Sequence, residues 1–203
     1  ATDKLIEIGR AVAASLAGRT VWNVNSTAAG GGVAEMLQTL LSYGLGAGID
    51  MRWLVTSGDP EFFRITKRIH NRIHGSVGDG GPLDQEKHTH YQKICTKNAL
   101  ELIDKTKPGD IVILHDPQTA GMVETAQAAG RIVIWRCHIG LDKRNDVANR
   151  TWDFLRPYLE NAQSYVFSRK LYAPEWLDEQ RLEIISPSID PFSPKNNHMD
   201  SGT

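Results

Sequence analysis

Residues 111–114 (Ile-Val-Ile-Leu) and 132–135 (Ile-Val-Ile-Trp) are continuous apolar runs, too short for core helices. Runs of this kind belong to strands buried on both faces of a parallel sheet. Further strand patterns fall at 21–25, 50–56 and 164–168, and helical patterns separate them. Residues 4–17 space Leu5, Ile8, Val12 and Leu16 for an amphipathic helix. From Gly32, Val33, Leu37, Leu40 and Leu41 share one face, and Gly44, Gly46 and Gly48 end the pattern. Pro60 suits a first helical turn, and Phe62, Phe63, Ile65, Ile69 and Ile73 form the apolar face behind it. Residues 75–82 are glycine-dense and polar, predicting an exposed, mobile loop. A long helical pattern covers 84–106, a short helix 117–129, and a further helix 145–159. Alternation of this sort predicts an α/β fold, a Rossmann-like parallel sheet with helices on both faces.

In such sheets ligands bind at the carboxyl ends of the strands, so the residues after each strand carry the functional question. The first strand ends in Asn25-Ser26-Thr27 and then Gly30-Gly31-Gly32. Three glycines cost backbone entropy, and a helix N-terminus behind them offers free N–H groups and a favourable dipole to an anion. The strand at 111 ends in His115-Asp116-Pro117-Gln118, and that at 132 in Arg136-Cys137-His138. Each has a plainer reading: a satisfied turn histidine, an Asp116 side chain capping the next helix, or a tight strand–helix turn at the glycines. Their coincidence at one sheet edge favours a site.

The glycine loop matches neither Gly-x-Gly-x-x-Gly nor a nucleotide-triphosphate loop, and the second strand ends in Val55-Thr56-Ser57 without the acidic residue a nicotinamide site wants. His88 and His90 are two apart and diverge on a helix. His70 and His74 share a face without a third ligand, which points to surface or partner-helix contacts. Arg64, Lys67, Arg68 and Arg72 form a basic helix side expected to be solvated, and the five tryptophans, Trp22, Trp53, Trp135, Trp152 and Trp176, read as core. A net charge of −1 gives no electrostatic case for nucleic acid or an anionic membrane. No apolar run approaches the ~20 residues of a membrane span. Cys95 and Cys137 lack metal-site spacing and read as reduced, buried thiols of a cytoplasmic protein.

Together, residues 21–37, His115-Asp116-Pro117-Gln118 and Trp135-Arg136-Cys137-His138-Ile139 resemble the N-terminal domain of trehalose glycosyltransferring synthase and retaining trehalose phosphorylase, in the GT-B retaining glycosyltransferase group. Residues 48–53, Glu61-Phe62-Phe63 with Thr66-Lys67, Ser188-Ile189-Asp190-Pro191 and 193–196 extend the likeness to about 20–197. The resemblance implies the N-terminal half of a GT-B fold, with an active site between two Rossmann-like halves. His138, beside the donor sugar, and Asp116 would be the catalytic residues, and His115 with Asp116 would hold the acceptor glucose. Asn25, Ser26, Gly30, Gly31, Gly32, Gln118 and Arg136 would complete the substrate-binding wall. It implies no metal and no cofactor, since basic side chains stabilise the leaving phosphate in this group. Its small-molecule partners would be glucose or trehalose and a nucleotide-glucose, ADP- or UDP-glucose.

On this reading residues 1–19 form a helix packed on the domain, 20–186 the acceptor-side domain, and 187–203 a proline-rich linker toward a donor domain. A chain ending there is expected to be inactive alone. Other readings stay open: phosphorylase chemistry, another acceptor sugar, or a non-catalytic sugar- or partner-binding module. In the last case the open seam would serve a partner or a second copy, as in a homodimer.

Overall fold

The computed structural model describes residues 2–188 of the chain. Six parallel strands form one sheet in the order β2-β1-β3-β4-β5-β6: Val21–Asn25 (β1), Met51–Val55 (β2), Ile111–His115 (β3), Ile132–Cys137 (β4), Ser164–Phe167 (β5) and Leu182–Ile184 (β6). The helices are Thr2–Ser15 (α1), Gly32–Gly46 (α2), Pro60–Ile73 (α3), Gln85–Lys105 (α4), Val123–Ala128 (α5) and Asp146–Leu159 (α6). The predicted strands and principal helices are all present, because their apolar runs and periods are those of buried elements.

After β1 the chain steps one way to β2, then doubles back past β1 to β3 and continues through β4 and β5. Right-handed crossovers taken in opposite directions place α2 on one face and α3, α4, α5 and α6 on the other. The contacts agree: α3 to α6 pack against one another, and α2 packs on β1 and β2. The reversal between β1 and β3 is a topological switch point, where the carboxyl ends of neighbouring strands diverge and leave a crevice.

The core lies between the sheet and the four-helix layer. Trp135, Trp152 and Phe167 meet there edge-on or tilted, with ring centroids 5.8–6.3 Å apart. Asp59, Asp84 and Asn145 cap α3, α4 and α6 with their side chains, each worth about 1 kcal/mol. Both cysteines are free and buried, and burial pushes the thiol pKa up, to about 12 at Cys95. No helix among the described residues is long and apolar enough to cross a membrane.

Several expectations change. The pattern at 117–129 divides into a 3-10 segment, Pro117–Met122, and a short α5. A Cβ on Gly121 would come within 2.8 Å of Cys95 Cβ, so close packing on α4 shapes this segment. Residues 75–82 are exposed but anchored, since the Arg68 guanidinium donates to Asp79 at 2.6 and 2.8 Å and to the Pro82 carbonyl at 2.5 Å. Arg68 is accordingly buried rather than solvated, and it holds Asp79 at a pKa of about 2. Phe63 is 41% exposed, on the flank of α3 instead of its core face. Trp53 and Trp176 are half-buried, while the other three tryptophans are core. α1 leaves Ile8 and Val12 exposed and lies against the end of α2 through Gly9, where an added Cβ would meet Ala47 Cβ at 3.1 Å. β6 is an addition, three residues too few to show a pattern. Of the proposed linker, residues 189–203 lie outside the described residues.

Candidate functional site

A cleft of about 740 Å³ opens over the carboxyl ends of β1, β3 and β4, at the switch point. Asn25, Ser26, Gly30, Gly31, Gly32, Asp116, Gln118, Arg136 and His138 all line it. His115, the remaining residue expected at the site, does not; it is 1% exposed and lies beneath the cleft floor.

The β1 wall is rigid where it is polar. Asn25 donates from Nδ2 to the Thr27 carbonyl at 2.8 Å and accepts the Trp53 indole N–H at 2.7 Å. Gly30 and Gly31 then adopt φ of +75° and +88°, the left-handed region that favours glycine. Gly32 has no such φ, and no protein atom lies within 4 Å of a Cβ placed there. Gly31, at the N-cap of α2, has no side chain with which to cap the helix.

Asp116 ties β3 to β4. Its N–H donates to the Arg136 carbonyl, and its Oδ1 accepts the backbone N–H of His138, both at 2.8 Å. Its φ is +62°, the one positive value among the described non-glycine residues. Strained backbone of this kind persists where surrounding bonds over-determine it, and it gathers at functional sites. The side chain does not cap the segment at Pro117, so the plain capping reading is not realised. Oδ2 has no partner among the described residues, and burial raises the carboxyl pKa to about 6.

His115 and His138 approach to 3.0 Å, Nδ1 to Nε2, and His115 Nε2 lies 3.1 Å from Asn23 Oδ1. Burial, then neighbouring charge, lowers both histidines: His138 to about 4, His115 well below its ordinary value. Arg136 contributes to both shifts and is itself lowered by burial, yet a guanidinium stays charged. Its guanidinium makes no hydrogen bond or ion pair with the described residues. Among the described residues the cleft thus presents a carboxylate with one oxygen lacking a hydrogen-bond partner, a guanidinium that makes no hydrogen bond, the N-terminus of α2 and a neutral imidazole. Such a set can orient hydroxyls and neutralise an anion. No cluster of three or more His, Cys, Asp or Glu among the described residues could hold a metal ion.

Sequence reasoning missed His70, Ser168, Arg169 and Tyr172, which also line the cleft. Ser168 and Arg169 follow β5 and could have been found by the strand-end rule. Arg169 pairs with Asp142 at 2.8 Å and lies over the Tyr172 ring. His70 reaches the cleft from α3, beside His74 with ring centroids 4.9 Å apart, and no sequence signal marks that approach.

A family model described as the trehalose synthase N-terminal domain matches residues 23–174. The chain belongs to that family. A trehalose synthase from Thermococcus litoralis is 40% identical over 197 residues, covering 97% of this chain and 46% of that protein. A trehalose phosphorylase from Pleurotus sajor-caju is 31% identical over 191 residues, covering 87% of the chain and 25% of that protein. The chain therefore spans less than half the length of these relatives. Among solved structures, a UDP-forming trehalose-phosphate synthase from Burkholderia vietnamiensis superimposes with a TM-score of 0.58 at 14% identity, over 76% of this chain and 40% of that one. That likeness carries the GT-B fold. The matched residues 23–174 contain every strand-end loop of the cleft walls at β1, β3 and β4.

Proposed function

We propose that this chain is the acceptor-side domain of a retaining glucosyltransferase that forms or cleaves trehalose, with a nucleotide-glucose, ADP- or UDP-glucose, as donor and glucose as acceptor. The observation that carries the reading is the cleft carboxylate Asp116, held between two strands with one oxygen lacking a partner among the described residues, in the same cleft as the N-terminus of α2. On this reading Asp116 accepts from a hydroxyl of the acceptor glucose. The glycine loop and the N-terminus of α2 lie against the donor phosphate, where dipole and N–H groups favour negative charge. Arg136 adds positive charge to the same wall. His138 sits beside the donor sugar. Transfer with retention then proceeds by front-face attack or a short-lived ion pair, with positioning and charge stabilisation supplying the rate.

Turnover on this reading needs residues outside the chain, because a donor diphosphate requires a second cationic wall. Trehalose made from nucleotide-glucose and glucose by the 203-residue chain alone would refute that point. The two free buried thiols suit a reducing, cytoplasmic setting. The likeness to a trehalose phosphorylase supports a second reading, in which inorganic phosphate replaces the nucleoside diphosphate at the same wall. Calorimetry with glucose and with trehalose tests the acceptor site. Binding that Asp116→Asn abolishes supports it, and sugar binding indifferent to that change overturns it.

A further inference from the structure

His115 is buried beneath the cleft, yet its ring is bonded at both nitrogens, to His138 on one side and Asn23 on the other. The two imidazole planes differ by 15° and their centroids stand 5.3 Å apart. With an N···N contact of 3.0 Å, the rings must meet edge to edge along one N–H···N line. A neutral imidazole has one N–H and one lone pair, and only one proton fits between two facing nitrogens. The Asn23 amide oxygen is an acceptor, so His115 Nε2 carries the proton and its Nδ1 accepts. His138 Nε2 must then donate. That leaves His138 Nδ1 as a lone pair with no partner among the described residues, on a side chain that lines the cleft.

Asn23 supplies a second observation. It is fully buried in the middle of β1, and its Nδ2 has no partner among the described residues. An apolar residue would fill that position without an orphaned amide, so the oxygen is the part that the site uses. The low proton affinity of both buried rings keeps the chain in its neutral, directional form.

We infer that Asn23 and His115 are positioning residues that fix the tautomer of His138, which meets the cleft through its Nδ1 lone pair and accepts a hydroxyl of the bound sugar. The sugar part rests on the function proposed above; the tautomer does not.

The test is ¹⁵N NMR of the histidine rings in this chain near pH 7, with His138 and His115 assigned from the signals lost in His138→Asn and His115→Gln. Both rings are expected to be protonated at Nε2 alone. In Asn23→Leu the single-tautomer pattern of His138 is lost, and in Asn23→Asp it is kept. A wild-type His138 protonated at Nδ1, or a pattern unchanged in Asn23→Leu, overturns the inference. The wild-type spectrum decides even where a variant fails to fold. Glucose, and then nucleotide-glucose, is titrated into the same sample. A fixed Nε2–H tautomer that responds to neither sugar supports the positioning role while overturning the sugar-cleft reading.

Discussion

At the amino ends of β1 and β3, Asp110 is buried and both of its oxygens are occupied, by the N–H groups of Thr20 and Lys107 at 3.1 Å each. Nearby Arg131, also buried, gives Nε to Thr106 Oγ1 at 2.8 Å and Nη2 to the carbonyls of Ile103 and Thr106 at 2.9 and 2.6 Å. At the carboxyl ends of the neighbouring strands the same residue types, Asp116 and Arg136, are left incomplete. One carboxylate oxygen and the whole guanidinium lack partners among the described residues. Saturated polar groups convert burial into stability, whereas unsaturated ones hold bonding capacity for a ligand at some cost to the fold. On the proposed function the sheet therefore has a structural end and a working end built from one chemistry.

The largest test of that contrast exchanges the two aspartates. Asp110→Ala strands two buried N–H donors and should cost about 3 kcal/mol in urea denaturation. Asp116→Asn keeps the bond from the His138 N–H, tolerates a positive φ and removes a buried charge, so its stability should hold or rise near neutral pH. On the proposed function, the same change should lower kcat/KM for trehalose formation about a hundredfold in a protein that carries the donor side as well. Equal stability losses at the two positions would erase the distinction.

Next in size is Arg136→Met. A half-buried guanidinium with no hydrogen bond among the described residues and only a through-space attraction to Asp116 adds little to the fold, so the thermal midpoint should change little, while affinity for an anionic donor should drop about tenfold. A marked fall in midpoint would place Arg136 among the structural groups.

The pH dependence separates the working groups from one another. Asp116 has its pKa raised to about 6, against about 3.9 in an unfolded chain, so the folded state binds more protons between those values. Its contribution to stability falls as pH rises from about 4 to 6. His138 is lowered to about 4 and His115 is lowered as well, so there the unfolded state binds more protons. Their contribution rises with pH from about 4 to 6.5. The opposed slopes partly offset one another. Asp116→Asn should steepen the gain in urea midpoint between pH 4 and 6, and an unchanged slope would contradict burial as the cause of the Asp116 shift.

The smallest effect on the fold belongs to Gly32→Ala. An added methyl meets nothing there, and Ala is the better helix former by up to about 1 kcal/mol. Stability should hold or rise slightly while donor affinity falls. Unchanged affinity would remove the ligand from that part of the loop.

The sequence alone determined the first five strands, their parallel class and the strand-end positions of the cleft. Buried strands must be short and apolar, and a parallel sheet directs their ends to one edge, so Asn25, Asp116 and His138 could be placed together from spacing. It did not separate His115 from Asp116, adjacent residues of which one lies under the floor and the other in the wall. Side chains alternate along β3, and the turn to φ +62° at Asp116 depends on bonds from β4. Arg68 looked solvated because its partner Asp79 arrives from a separate loop. His70 was set aside because its approach depends on how α3 packs. Period and hydropathy are local properties of a chain. Which oxygen stays free, which ring is buried and which cation finds a partner are decided by contacts between distant segments, and only the tertiary structure makes those.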